Sequence, residues 1–142
     1  MNMKILLAAL QFCCSAGHAQ EKPDLTVLVE GLKDDRGQVL VALFDSPEGF
    51  PESGRTAYRS RKIPVGTMPV KVVFRDLDQG TYAVCFVHDV DGNERLDKIM
   101  GIPAEKYGVS NNIKMGFGPP GFEEAHFCIH RCDTVIRILP SN

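Results

Sequence analysis

Apolar and polar residues alternate along this chain in short runs, and no stretch keeps a helical period for a useful length. "LTVLVEGL" (25–32) and "QVLVALF" (38–44) are β-rich, and the "KDDRG" between them has the Asp and Gly of a hairpin turn. "PVKVVFRDL" (69–77) puts Val70, Val72 and Phe74 on one face, with Lys71 and Arg75 on the other. "GTYAVCFVH" (80–88) is apolar on both faces, the pattern of a central strand. "FEEAHFCIH" (122–130) and "DTVIRIL" (133–139) read as a closing hairpin. Six strands follow from these runs, and a seventh lies within "YRSRKIPV" (58–65). The pattern predicts an all-β protein. Its expected form is an antiparallel β-sandwich of about seven strands, prealbumin-like or immunoglobulin-like.

Two irregular stretches interrupt the strands: "DSPEGFPESGR" (45–55) and a long one spanning 99–121. Structureless loops of that length are uncommon inside a compact domain. Tyr107, Met115 and Phe117 are poor residues for a disordered linker, so 99–121 is expected to be ordered and folded back over the sandwich.

The first residues, "MNMKILLAALQFCCSAGHAQ", have the form of a secretory signal peptide. Lys4 precedes an apolar stretch from Ile5 to Cys14, and Gly17 and Ala19 stand three and one residues before a cut at Gln20. The stretch falls short of the roughly 18 apolar residues of a membrane span, and the bulky Phe12 before Cys13 makes a poor lipidation signal. Residues 1–19 are therefore expected to be removed. One domain, 20–142, is left, with a periplasmic or extracellular location and no membrane span.

Of the 142 residues, 16 are Lys or Arg and 18 Asp or Glu; without Lys4 the balance is 15 to 18, a formal charge of −3. So mild a charge gives no reason to expect nucleic acid. Cys13 and Cys14 leave with the signal, and Cys85, Cys128 and Cys132 remain. An oxidising compartment favours one disulfide and one odd thiol. Three pairings are possible; the turn between the last two runs favours Cys128 with Cys132.

Four stretches carry a family resemblance: "GQVLVALFDSPEGFP", "FRDLDQGTYAV", "HDVDGNERLD" and "GIPAEKYGVSNN…FGPPGFEEAHF". Together, and in this order, they resemble the exported domain-of-unknown-function 2141 family over nearly the whole mature chain. The shorter piece from Phe74 to Val84 is also similar to strands of transthyretin-like and collagen-adhesin B-type sandwiches. The resemblance implies a sandwich fold and an envelope location, and it implies no reaction. The chain departs from the family at Glu94, where Gly is frequent, and at Cys128 and Cys132.

"DVDGNERLDKIM" is the stretch richest in candidate chemistry. Set on an EF-hand frame, Asp89, Asp91 and Asn93 take positions one, three and five, the Arg95 carbonyl position seven and Asp97 position nine. Alternate side chains of a tightly curved segment converge, and hard oxygens at that spacing suit calcium. Glu94 replaces the usual Gly at position six and Met100 the bidentate Glu at twelve, so an EF-like loop with Kd of about 10⁻⁴ to 10⁻³ M is expected. A further oxygen would come from Ser110, Asn111 or Asn112. The competing reading is an Asx-turn whose Asp and Asn side chains only cap backbone N–H groups.

In "HFCIHRC", His126, Cys128, His130 and Cys132 share parity. On one straight strand they spread over about 20 Å, so neighbouring pairs, not all four, would hold zinc or copper. Exposed histidines on a solvent face are the ordinary alternative. The basic "RTAYRSRK" (55–62) reads as a solvated face, or as a grip on anionic envelope polymers. Nothing in the chain carries a nucleophile elbow, a zincin helix or a phosphate loop. Cys85 and His88 fall on opposite faces of their strand and do not form a local dyad.

These features predict a non-catalytic exported module. Calcium would pin the 88–97 loop. Tyr107, Asn111, Asn112 and Phe117 of the long loop, with the Pro119–Pro120–Gly121 turn, would offer a surface to a small ligand or an envelope protein. The alternatives are a metal-dependent hydrolase on Asp89, Asp91 and Asp97, with His88 as acid or base, and zinc or copper handling through 126–132.

Overall fold

Leu25, Val27 and Val29 point inward from β1 (Leu25–Val29) and are fully buried, while Thr26 and Leu28 stay half-buried on its other side. One buried sheet face requires this period of two. It recurs in β2 (Gln38–Phe44) with Val39, Val41 and Leu43, and in β4 (Val70–Phe74) with Val70, Val72 and Phe74. A computed structural model describes residues 21–94, 98–99, 102–114 and 116–141. The expected signal peptide lies outside them, as do Arg95, Asp97, Met100 and Met115. The remaining elements are β3 (Arg59–Pro64), β5 (Gly80–Asp89), β6 (Lys98–Ile99), β7 (Ile102–Pro103), β8 (Tyr107–Val109), a 3₁₀ turn (Ser110–Asn112), α1 (Phe122–Ala125), β9 (Phe127–Ile129) and β10 (Thr134–Ile138).

The strands form a sandwich of a three-stranded sheet, β10–β1–β4, and a five-stranded one, β3–β2–β5 with β8 and β9. β8 and β9 share one edge of β5: β9 pairs with Gly80–Tyr82 and β8 with Cys85–Val87. The two sheets bury the main core between them. Leu25, Val27, Val72 and Phe74 meet Val41, Leu43, Val84 and Phe86 there. A second cluster lies on the outer face of the five-stranded sheet, where Phe44, Ala83, Cys85 and Val109 are covered by Phe50, Ala57 and the α1 residues Phe122 and Ala125. β5 is therefore buried on both sides, which is why its sequence is apolar on both faces.

Several expectations are corrected. The sandwich has eight strands, not seven; β3 is the strand expected within 58–65, and β8 comes from the long loop. The sandwich is not wholly antiparallel, because β10 lies parallel to β1, Leu25 beside Thr134. β1 and β2 form no hairpin. Their apolar faces look at each other from opposite sheets, which two strands of one hairpin cannot do. β9 and β10 form no hairpin either: β9 extends the five-stranded sheet and β10 completes the other. Asp24 and Asp133 fix the start of β10, with the Asp24 N–H donating to Asp133 Oδ1 at 2.8 Å and the Thr134 N–H to the Asp24 carbonyl at 2.9 Å. The run from 122 is not strand throughout. Its first four residues make the helical turn α1, begun where Glu124 Oε2 accepts the Gly121 N–H at 3.1 Å.

The 99–121 stretch is ordered through most of its described part. β8 joins the sheet edge, and Ser110 locks the following turn from inside. Its hydroxyl accepts the Val84 N–H at 3.0 Å and donates to the Ala125 carbonyl at 2.5 Å.

Candidate functional site

β5 runs for ten residues and ends on Asp89 at the rim of the sandwich. The Asp89 carboxylate is fully buried, and four hydrogen bonds hold it there. Oδ1 accepts the N–H of Gly92 at 2.8 Å and of Asn93 at 3.1 Å; Oδ2 accepts Gln38 Nε2 at 2.7 Å and the Glu94 N–H at 2.9 Å. Burial alone would raise its pKa, but these bonds, from Gln38 and then from Glu94 and Gly92, outweigh burial and hold the carboxyl below its ordinary range. The chain curls around it. Gly92 and Glu94 both take left-handed conformations, φ +78° and +61°. Asp91 is exposed and receives Asn93 twice, from its N–H and its side-chain amide, each at 3.1 Å.

A third carboxylate joins from β8's side. Glu105 is buried, its Oε1 accepts the Val90 N–H at 3.1 Å, and Asp89, Asp91 and Glu105 each bring an oxygen within 4.8 Å of the others. This triad could hold a metal ion. Unit charges at that separation repel by about 3 kcal/mol at an effective dielectric of about 20, a repulsion that a divalent cation would relieve. The donors are all hard oxygens, the set preferred by calcium or magnesium over softer metals. Glu105 was not among the residues expected from the EF-hand spacing. The antiparallel register of β5 and β8, Val87 beside Tyr107, continues to place residue 105 opposite 89, and the His88 N–H donating to the Lys106 carbonyl at 2.7 Å confirms it. Of the other expected ligands, Asn93 is in the loop, and Arg95 and Asp97 lie outside the described residues.

The side chains of Ser110, Asn111 and Asn112, expected to bring a further oxygen, are engaged elsewhere. Asn111 Nδ2 donates to the carbonyls of Glu124 and His126, at 3.0 and 2.9 Å, and Asn112 bridges Arg137 and Leu139. Ser110 is spent on Val84 and Ala125. His88, the acid or base of the hydrolase reading, points to the opposite side of β5 from Asp89. It is buried, with Nε2 2.8 Å from the Arg36 carbonyl.

The His/Cys run is not one straight strand. β9 ends at Ile129, and His126 sits at the end of α1, stacked on Phe122 with Nδ1 2.8 Å from the Glu123 carbonyl. Cys128 and Cys132 are exposed free thiols, so the expected bridge between them is not formed, and Cys85 is a buried free thiol. Among the described residues, the one group of three or more acidic, His or Cys ligand atoms close enough to share an ion is the Asp89–Asp91–Glu105 triad.

The residues expected to line a partner surface part company. Tyr107 is buried in β8 and lines a groove on the outer face of the five-stranded sheet, together with Pro119 and Pro120. Phe117 is fully exposed, while the amides of Asn111 and Asn112 brace the backbone. Among the described residues no helix is long and apolar enough to cross a membrane.

The fold and site define a β-sandwich with a carboxylate-lined loop at one rim. Residues 27–137 match the family described as an uncharacterized protein conserved in bacteria (DUF2141), and the chain belongs to that family. No curated protein and no solved structure shows a comparable match.

Proposed function

We propose that this protein is an exported, non-catalytic binding module in which a calcium ion orders the loop following β5 and, with it, a ligand- or partner-binding surface. The convergence of Asp89, Asp91 and Glu105 carries this reading, two of them buried and all within 4.8 Å. Calcium tolerates a mixed set of carboxylate, amide and water oxygens at a flexible loop, which magnesium's strict octahedron does not. The loop's neighbours support a role in ordering: Val90 is tied to Glu105, and Glu94 makes an ion pair with Lys62 on β3. Export is supported by the signal-like first 19 residues. The partner is a small ligand or another envelope protein.

Thermal unfolding in EDTA, and then with calcium, magnesium or zinc, tests the reading. Calcium at 100 times its Kd should add about 2.7 kcal/mol. No shift with calcium, or an equal shift in Asp91→Ala, would reduce the loop to a polar turn.

A further inference from the structure

Beside the acidic loop, the outer face of the five-stranded sheet opens into a groove of about 720 Å³. Leu40 of β2 and Val87 of β5 are cross-strand partners, both half-buried, and they form its floor with Cys85, Tyr107 and Val109. Elsewhere this sheet face is closed by the protein's own Phe50, Ala57 and Phe122. Among the described residues, the groove is the part left open. Its volume falls within the roughly 300–1,000 Å³ of small-molecule sites, which combine an apolar lining with a few polar groups.

The charges around it identify the ligand chemistry. Lys62 is paired with Glu94. Arg61 lines the groove's edge, but its guanidinium turns to the other side of the sheet, 5.7 Å from the ring centroid of the core residue Phe74, and donates to the Ser60 carbonyl at 3.1 Å. Glu52 is engaged as well. Lys62 and Glu94 neutralise each other at the rim, so among the described residues no unpaired charge faces the apolar floor, and an ionised ligand would lie on that floor without a counter-charge. An uncharged apolar ligand leaves every pairing in place and gains the floor.

We propose that this groove binds a small uncharged apolar molecule, with the Lys62–Glu94 ion pair strapped beside it. The proposal rests on the reading of the protein as a binding module but not on the cation, because the floor residues Leu40, Cys85, Val87, Tyr107 and Val109 are placed by strand pairing, and the Glu94 N–H is held by the Asp89 carboxylate without one.

The test uses the chain from Gln20 onward, which contains every described element, and the neutral dye N-phenyl-1-naphthylamine, which brightens in apolar surroundings. Saturable one-to-one binding is expected in EDTA as well as in calcium, so a failed calcium titration leaves this result readable. Val87→Glu should weaken the dye at least about tenfold by placing a charge on the floor, while Val135→Glu, on the exposed face of the other sheet, should leave it unchanged. The sulfonated relative, 8-anilinonaphthalene-1-sulfonate, should bind more weakly than the neutral dye. Dye binding unaltered by Val87→Glu, or tighter binding of the sulfonate, overturns the proposal. Should Val87→Glu fail to fold, the near-isosteric Val87→Thr supplies a second readout, because a hydroxyl on the floor should weaken the dye several-fold, and unchanged affinity overturns the proposal.

Discussion

Glu105 faces Asp89 across the β5–β8 ladder and holds the next residue, accepting the Val90 N–H at 3.1 Å. The two acids differ in what they hold. Asp89 organises the turn with all four of its hydrogen bonds, so it shapes the loop with or without a cation. Glu105 comes from the far side of the loop, and the cation would draw the two sides together. The polar-turn reading and the metal reading of "HDVDGNERLD" thus use the same oxygens, and only the response to metal separates them.

Neutral substitutions should therefore split the triad. Glu105→Gln keeps an acceptor for Val90, so metal-free stability should stay within about 1 kcal/mol while the calcium-dependent gain disappears. Asp89→Asn turns an amide toward donors from Gln38 and Glu94 and should cost about 2–4 kcal/mol even in EDTA. Thermal unfolding of both variants, with and without calcium, is the measurement. Equal losses in EDTA would contradict the division of roles.

Acid should expose Asp89 as well. Its carboxyl is held below the ordinary 3.8 in the fold, so the unfolded chain takes up its proton first as pH falls. Its contribution is fully present above about pH 5, begins to fade near the unfolded value and is lost as pH falls through the folded one. Denaturant midpoints should be flat between about pH 7 and 5 and fall below about 4. Asp89→Asn should flatten the acid limb. An unchanged slope would show that other carboxylates set it.

The three thiols after residue 20 should divide two to one. Cys128 and Cys132 are exposed. Cys85 is nine-tenths buried, its Sγ lies 3.4 Å from the Pro51 carbonyl, and burial pushes its pKa up to about 12. The thiolate is the reactive form. In reduced protein at pH 8, two equivalents of a thiol reagent should react promptly and the third only with unfolding. Prompt reaction of all three would mean that the cover over Cys85 opens freely.

Local periodicity made the strands legible, because burial of one face writes itself into every second residue; β1 and β4 follow their alternation residue by residue, and β2 does so up to Phe44, which is buried on the other face. Pairing was not legible in the same way. Whether the strand after "KDDRG" folds back in one sheet or crosses to the other depends on distant partners, Val73 opposite Thr26 and Ile63 opposite Val39. α1 is too short to show a period, although Phe122 and Ala125 lie three apart on one face. In the site, Asp89 and Asp91 were visible by spacing, whereas Glu105 depends on the β5–β8 register. Asn111 and Asn112 look like ligand oxygens in sequence, yet their positive φ values, +63° and +53°, mark a turn that their amides brace.

Glu94 offers the sharpest check on the loop's geometry. It stands where an EF-hand has glycine, and the chain there is left-handed, φ +61°. A side chain in that conformation costs about 1–2 kcal/mol relative to glycine. Glu94→Gly and Glu94→Ala both remove the ion pair with Lys62, so the difference between them isolates the backbone. Glu94→Gly should be the more stable by about 1 kcal/mol, a little of the gain being returned through the greater freedom of glycine in the unfolded chain. Chemical denaturation of the two variants at neutral pH in EDTA measures that difference. If Glu94→Ala matches or exceeds Glu94→Gly, position 94 is not left-handed in solution, and the curl that gathers Asp89 and Asp91 toward Glu105 must be drawn differently.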